Sequence, residues 1–306
     1  PKPLRPVPNK LSNPNATREA KELFSYLRSI YGKQTLSGQF DLSEANFTRS
    51  KTGRYPAILG GDLMRYSPSF AKFGEAPTNV TESWIKAAKS GMILTLTWHW
   101  NAPFGLLDTV RTKPNGETED LRWYKGFYTN ATTFDVQRAM TDERSEERKA
   151  ILSDIDQIAV QLKKLSDAKV PVLWRPLHEA EGKWFWWGAK GAEACKWLWQ
   201  TMFARMTEKH GLNNLIWVWN SPDLAWYPGD DTVDIMSCDL YPSDRSDPTS
   251  NTWESLLKNF DGRKMLGLAE FPGTPDVERM HRFGVRWLFF VSWTGPYGPK
   301  GDKPTQ

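Results

Sequence analysis

The run VPVLWRPLHE, residues 170–179, is apolar until its end, where a histidine and a glutamate appear together. Before it lies ERKAILSDIDQIAVQLKKLSDAK, in which Ile151, Ile155, Ile158, Leu162 and Leu165 recur at helical spacing and form one apolar stripe. A helix feeding a short buried strand whose charged residues come only at its C-terminal end is one unit of an alternating helix–strand fold. The unit recurs in both directions. QTLSGQF (34–40), AILGGDLM (57–64) and MILTLTWHW (92–100) come earlier; LIWVWN (215–220), DIMSCDLY (234–241), MLGLAEF (265–271) and RWLFFVSW (286–293) come later, making eight runs in all. Helix-like stretches also precede the first, third and fifth runs (ATREAKELFSYLRSIYG, TESWIKAAKSG and EACKWLWQTMFARMTEKHG), and each closes on a glycine, as helices commonly do. Parallel strands joined by right-handed crossovers, eight times over, predict an α/β fold of the (β/α)8 or TIM-barrel type. A barrel of this kind occupies about 250 residues, so one domain accommodates the chain. We assign residues 13–306 to it, with 1–12 as a Pro-rich N-terminal extension and 294–306 as an exposed tail.

The polar residues of these runs gather at their C-terminal ends: Asp62, His99, Glu179, Asn220, Asp239, Tyr241, Glu270 and the aromatic Trp293. In a (β/α)8 barrel that rim carries the chemistry, assembled from strands distant in sequence. The stretch WRPLHEAEGKWFWWG (174–188) sets acidic groups beside a run of aromatic rings. An apolar core would exclude the charges, so the stretch reads as the wall of a cleft. The chain's 16 Trp, 15 Phe and 9 Tyr exceed what core filling needs. Trp197 and Trp199 within a helix, and Trp217 and Trp219 alternating on a strand, are expected to be packing residues. The segment 101–146 shows no clear structure of its own and carries Trp123, Tyr124, Phe127 and Tyr128, which suits the lining of a groove.

A net charge of +4, spread without a basic block, gives no footprint for nucleic acid. No apolar run approaches the roughly 20 residues that span a bilayer, and a monomer is expected. Cys195 and Cys238 are too few for a disulfide scaffold and leave bonded and free states equally open. Four Asn-x-Thr tripeptides, at Asn15, Asn46, Asn79 and Asn130, lie in polar, turn-like surroundings suited to glycan acceptors, so a secreted, extracellular protein is expected. The start PKPLRPVPNK fits a processed mature form. His99, His178, Glu179 and Asp239 are chemically suited to a metal, but with no H-x-H or H-x3-H pair among four histidines neither metal nor cofactor is expected.

Glu179 and Glu270, 91 residues apart, close the fourth and seventh runs and can face one small volume across the mouth. Glycoside hydrolysis requires such a pair: a protonated carboxyl to protonate the departing oxygen, and an ionised one to attack or to activate water. Environment separates the two pKa values. Arg175, on the same strand face as Glu179, either supports these carboxylates or makes a structural salt bridge.

RPLHEAEGKWFWWG, with NLIWVWN, WYPGDDTVDIMSCDLY and GLAEFPG, resembles glycoside hydrolase family 26, mainly β-mannanases, over nearly the whole chain. The resemblance implies endo-hydrolysis of β-1,4-mannosidic linkages in mannan, galactomannan or glucomannan, or their oligosaccharides, with retention of configuration. Glu179 would be the acid/base and Glu270 the nucleophile, about 5 to 5.5 Å apart. It further implies sugar contacts for His99 and His178, a hydrogen bond from Tyr241 to the nucleophile with Asp239 sharing the site, and aromatic floors at Trp184 and Trp293. Mixed-linked β-glucan, β-1,3-xylan and exo-acting release of mannobiose are rival readings, and a non-catalytic carbohydrate-binding barrel is a remoter one that both matching glutamates oppose. Two departures stand out. Ala180 and Glu181 follow Glu179 where many relatives have Met-Asn, and Thr294-Gly295 follows Trp293 where some have a substrate-contacting arginine. Glu181 is expected to face solvent.

Overall fold

The computed structural model describes residues 3–75 and 77–299. Its strands are β1 (Leu36–Phe40), β2 (Ile58–Asp62), β3 (Ile93–Thr97), β4 (Thr109–Thr112), β5 (Thr118–Leu121), β6 (Val172–Arg175), β7 (Leu215–Asn220), β8 (Ile235–Asp239), β9 (Met265–Phe271) and β10 (Phe289–Ser292). All except β4 and β5 form one closed barrel in the order β1-β2-β3-β6-β7-β8-β9-β10, with β10 returning to β1. Every neighbouring pair in it is parallel. Each of the eight apolar runs is a barrel strand, and the fold is the expected (β/α)8 barrel.

Alternation sorts the side chains. Phe40, Ile58, Leu173, Ile216, Val218, Ile235, Met265, Phe289 and Val291 share the barrel interior, while their neighbours Leu59, Val172, Trp174, Trp217, Trp219, Leu266 and Leu268 pack between strands and helices. The interior is tight enough that a Cβ on Gly267 would lie 2.4 Å from the Phe289 ring. Trp199, from the helix Ala192–Ala204, meets Trp217 and Trp219 edge-on at 5.3 and 5.0 Å between ring centres. Each ring of this size removes roughly 150–250 Å² from water, worth on the order of 5 kcal/mol of transfer as an upper bound. Trp197 is half-buried beneath the Arg148 guanidinium. The packing reading of these four tryptophans holds.

One irregularity positions chemistry. Leu268 pairs with Cys238, but Asp239 pairs with Glu270, and against β10 the register slips in the same place, so β9 carries one extra residue at its end. Strict alternation from Met265 would turn Glu270 outward; the bulge turns it into the barrel mouth.

The helices Arg18–Ile30, Val80–Lys89, Glu146–Asp167 and Ala192–Ala204 fall where the periodicity placed them. Three others lie outside the helix-like stretches read from the sequence: Leu42–Thr52 and the six-residue Val277–Arg282, which show no stripe, and Ser250–Phe260, whose Trp253, Leu256, Leu257 and Phe260 do stand at helical spacing. The β7–β8 connection has only the short turn Leu224–Trp226 among its described residues. Segment 101–146, read as structureless, contains the antiparallel hairpin β4–β5, two short turns and the helix Val136–Thr141. β4 is exposed at all four positions, so neither an apolar run nor an alternation marked it. Of the expected exposed tail, residues 295–297 and 299 are exposed, but the segment also folds back: Gly273 N–H donates to the Tyr297 carbonyl and the Tyr297 ring lies 5.5 Å from that of Tyr241. The remaining residues of that tail lie outside the described ones, as do Pro1 and Lys2 of the N-terminal extension. Val7 and Leu11 of the extension are buried with Phe24 in the inner cluster. Cys195 and Cys238 are buried free thiols. Among the described residues no helix is long and apolar enough to cross a membrane.

Candidate active site

Arg175 ends β6 on its inward face, and its side chain is 3% exposed. It donates from Nη1 to Asp239 Oδ2 at 2.8 Å and from Nη2 to Glu270 Oε1 at 2.6 Å. Burial opposes its charge, but Asp239 and Glu270 outweigh this and hold the guanidinium protonated. The question left open for Arg175 is thereby answered: it supports the carboxylates. Tyr241 donates to Glu270 Oε2 at 2.6 Å, and burial with the Glu270 charge keeps its hydroxyl protonated as a donor. Asn220, at the end of β7, donates to Asp239 Oδ1 at 2.9 Å.

Glu179 hangs on a strained turn. Leu177, Glu179 and Lys183 all have left-handed φ values of 55°, 53° and 60°, each costing about 1–2 kcal/mol for a residue with a Cβ. Asn220 pins the turn, its carbonyl and Oδ1 both accepting from Glu179 N–H at 3.2 and 3.1 Å. Trp187 Nε1 donates to the His178 carbonyl at 3.0 Å, and Trp186 Nε1 to the Trp100 carbonyl at 2.6 Å. Thr129, from the long excursion after β3, donates through its N–H to the Trp184 carbonyl and through its hydroxyl to that of Lys183. Trp184 is half exposed and folds back over Gly182, where an added Cβ would lie 2.0 Å from the ring; its Nε1 donates to Glu179 Oε2 at 2.9 Å.

Oxygens of Glu179, Asp239 and Glu270 lie within 4.8 Å of one another. Arg175 supplies the positive charge between the latter two. Burial, reinforced by the Asp239 charge, raises the carboxyl pKa of both Glu179 and Glu270, that of Glu179 to about 8. Such groups titrate as a pair, so the pair holds a proton through neutral pH, and the donors around it decide where. Glu270 accepts from Arg175 and Tyr241, a charge-assisted pair of bonds that favours its ionised form. Among the described residues the Glu179 carboxyl accepts only the indole N–H of Trp184. The proton rests on Glu179.

His99 faces the mouth, backed by His178. His99 Nδ1 meets Asp62 Oδ2 at 2.5 Å and its Nε2 meets His178 Nε2 at 3.2 Å. Phe127 and Phe185 present their rings to His99 at 5.1 and 5.5 Å, so the excursion after β3 does line the cleft. Trp293 lies 4.2 Å from Phe40 and 6.2 Å from His99 between ring centres. The structure thus brings Glu179, Glu270, Asp239, Tyr241, His99 and Trp184 to one mouth, with Trp293 at its edge. His178 is 1% exposed and sits beneath His99.

Glu181 departs from expectation. It is half-buried instead of facing solvent, turned toward Ser221 and the charges of Asp239 and Asp223, and burial raises its pKa. Its effect on Glu179 ranks behind burial and Asp239. Asn220 and Asp62 carry no role in the sequence beyond their place at the rim. Their signal was position at strand ends, on the inward parity of β7 and β2.

Two carboxyl groups facing one small volume at the C-terminal mouth of a (β/α)8 barrel, one protonated and one ionised, form the arrangement of a glycoside hydrolase. The chain belongs to glycosyl hydrolase family 26, whose family model matches residues 12–303. It is 46% identical over 293 residues to a mannan endo-1,4-beta-mannosidase of Thermothelomyces thermophilus, covering 96% of this chain and 58% of that protein. The crystal structure of the Podospora anserina GH26-CBM35 beta-(1,4)-mannanase superposes with a TM-score of 0.91 at 44% identity, covering 98% of this chain and 66% of that one. A beta-mannanase from a symbiotic protist of the termite Reticulitermes speratus, complexed with gluco-manno-oligosaccharide, superposes with a TM-score of 0.82 at 31% identity, over 98% of this chain and 92% of that one. The chain therefore spans less than two thirds of the first two relatives.

Proposed function

We propose that the protein hydrolyses internal β-1,4-mannosidic linkages by double displacement with retention, Glu179 serving as acid/base and Glu270 as nucleophile. The observation that carries this reading is the approach of the two carboxyl groups, with oxygens within 4.8 Å. Inverting enzymes need about 6.5–9.5 Å to admit a water between the groups, whereas a separation near 5 Å suits direct attack. Glu179, neutral at the pH of most biological fluids, protonates the departing oxygen as the ionised Glu270 attacks the anomeric carbon from the opposite face. Glu179, now charged, then takes a proton from water as that water displaces Glu270. The mannan specificity rests on the relatives, three of which carry mannanase names or titles. All four sequon asparagines are exposed, which supports an extracellular setting.

Incubation with mannan, galactomannan, lichenan and β-1,3-xylan, following reducing ends, tests the substrate. Release from the mannans is expected, and no release from any of them overturns the substrate reading. The anomer formed first, read by proton NMR, should be β; an α product overturns retention.

A further inference from the structure

The two histidines at the mouth are linked in a chain whose protons can be counted. Thr97, the last residue of β3, has one hydroxyl proton, and it goes to the Arg175 carbonyl at 2.8 Å, since a carbonyl only accepts. The same hydroxyl stands 3.1 Å from His178 Nδ1, so there it must accept, which places a proton on Nδ1. His178 is buried, and burial, then the neighbouring His99, hold its pKa well below the ordinary value, so the ring is neutral and its Nε2 bare. That bare nitrogen faces His99 Nε2 at 3.2 Å and requires a proton from it. At its other nitrogen His99 faces the Asp62 carboxylate at 2.5 Å, and Asp62 is held in place by its second oxygen, which accepts from the backbone N–H groups of Met64 and His99. A carboxylate accepts only, so Nδ1 is protonated as well.

We propose that Asp62, His178 and Thr97 are positioning residues that hold His99 as a fixed imidazolium, and that His99 serves the mannosidase reaction by its charge and not as a hydrogen-bond donor to sugar. The inference rests on the hydrolase reading above. Both ring N–H groups are committed within the protein, so the ring meets sugar only with its carbon edge. The charged groups that bear on it are Asp62 from β2, Arg175 at the end of β6 and Glu270 from β9, with the neutral His178 ring against its Nε2. Burial opposes the imidazolium, but the Asp62 and Glu270 carboxylates outweigh burial and Arg175 and raise its pKa. With Glu179 protonated, Asp62, Asp239 and Glu270 are then faced by two cations, Arg175 and His99. The second cation helps keep Glu270 ionised while it waits to attack, and compensates Glu179 once its proton has left.

Two measurements on the full chain test this. Histidine-selective 15N NMR from about pH 5 to 8 should show both ring nitrogens of His99 protonated throughout and His178 as the neutral Nδ1–H tautomer. A bare nitrogen on His99 at neutral pH overturns the proposal, whatever the protein's substrate. Asp62→Asn removes the carboxylate, so His99 should lose its proton below about pH 7. The alkaline limb of kcat/KM on a manno-oligosaccharide, set near 8 in the parent by Glu179, should move down with it. Near pH 7.5 the loss should be on the order of 10- to 100-fold, narrowing as pH falls. A loss equal at every pH, as a structural role would give, or no loss, overturns the proposal. Should the parent cleave no mannan, the substrate reading fails and the NMR arm still decides the relay.

Discussion

Replacing Tyr241 by Phe removes one oxygen and leaves the ring that packs against Tyr297. The lost interaction is a 2.6 Å hydrogen bond to Glu270 Oε2, inside a site where Glu270 is 4% exposed. A bond to a charged acceptor contributes about 1.5–3 kcal/mol net, and all of it favours the ionised carboxylate. At about 1.36 kcal/mol per pKa unit, Glu270 should rise by about one to two units in the variant. The sign follows from the donor's preference for the charged form: without it Glu270 keeps a proton to higher pH. The acid limb of kcat/KM should therefore move upward by one to two units, while the alkaline limb, set by Glu179 near 8, stays. On the acid side the variant should lose about 10- to 150-fold. The assay is kcat/KM against pH on a soluble manno-oligosaccharide, with thermal unfolding measured in parallel. A fall that is equal at all pH values, or a change of less than about twofold, would refute the assignment of Tyr241 to the ionised nucleophile.

Trp184→Phe keeps the exposed ring but loses the indole N–H that lowers the Glu179 pKa. Its alkaline limb should rise by up to about one unit with KM near that of the parent, whereas Trp184→Ala should also raise KM; a pH profile that does not move in Trp184→Phe removes the hydrogen bond from the mechanism. Asp154, buried on the helix Glu146–Asp167 and accepting from Trp100 Nε1, is pushed by burial to about 7. Its folded pKa exceeds its unfolded value near 3.9, so its contribution is full below about pH 4 and is lost as pH rises through 7. The difference is on the order of 4 kcal/mol. Asp154→Asn should flatten urea-unfolding stability against pH in that window, and an unchanged slope would show that Asp154 is not the titrating group.

The barrel was legible because short apolar runs recur between helical stretches, most of them ending in polar residues, and because Ile151 to Leu165 display their stripe plainly. Arg175, Asn220 and Asp239 could be placed facing inward by counting parity along their strands. Glu270 could not. Counted from Met265 it falls on the outer face, and only the extra residue at the end of β9 brings it to Arg175. Glu181 was misplaced because it follows a turn with left-handed residues on both sides, where no periodicity tells inside from outside. The Asp62–His99–His178 chain joins the ends of three strands; the sequence shows its members as rim residues but not their hydrogen bonds. The hairpin β4–β5 escaped because its exposed strands are held by turn and cross-strand polar contacts such as Arg111 to Glu119.

The central claim is that Glu270 attacks the sugar while Glu179 supplies the proton. An activated 2-deoxy-2-fluoro-β-mannobioside slows the second displacement more than the first and leaves the glycosyl group on the attacking residue. Peptide mass spectrometry after this treatment should find one sugar adduct, on the peptide containing Glu270, and none after Glu270→Ala. An adduct on Glu179 or Asp239, or turnover of the reagent with no adduct at all, would contradict the account.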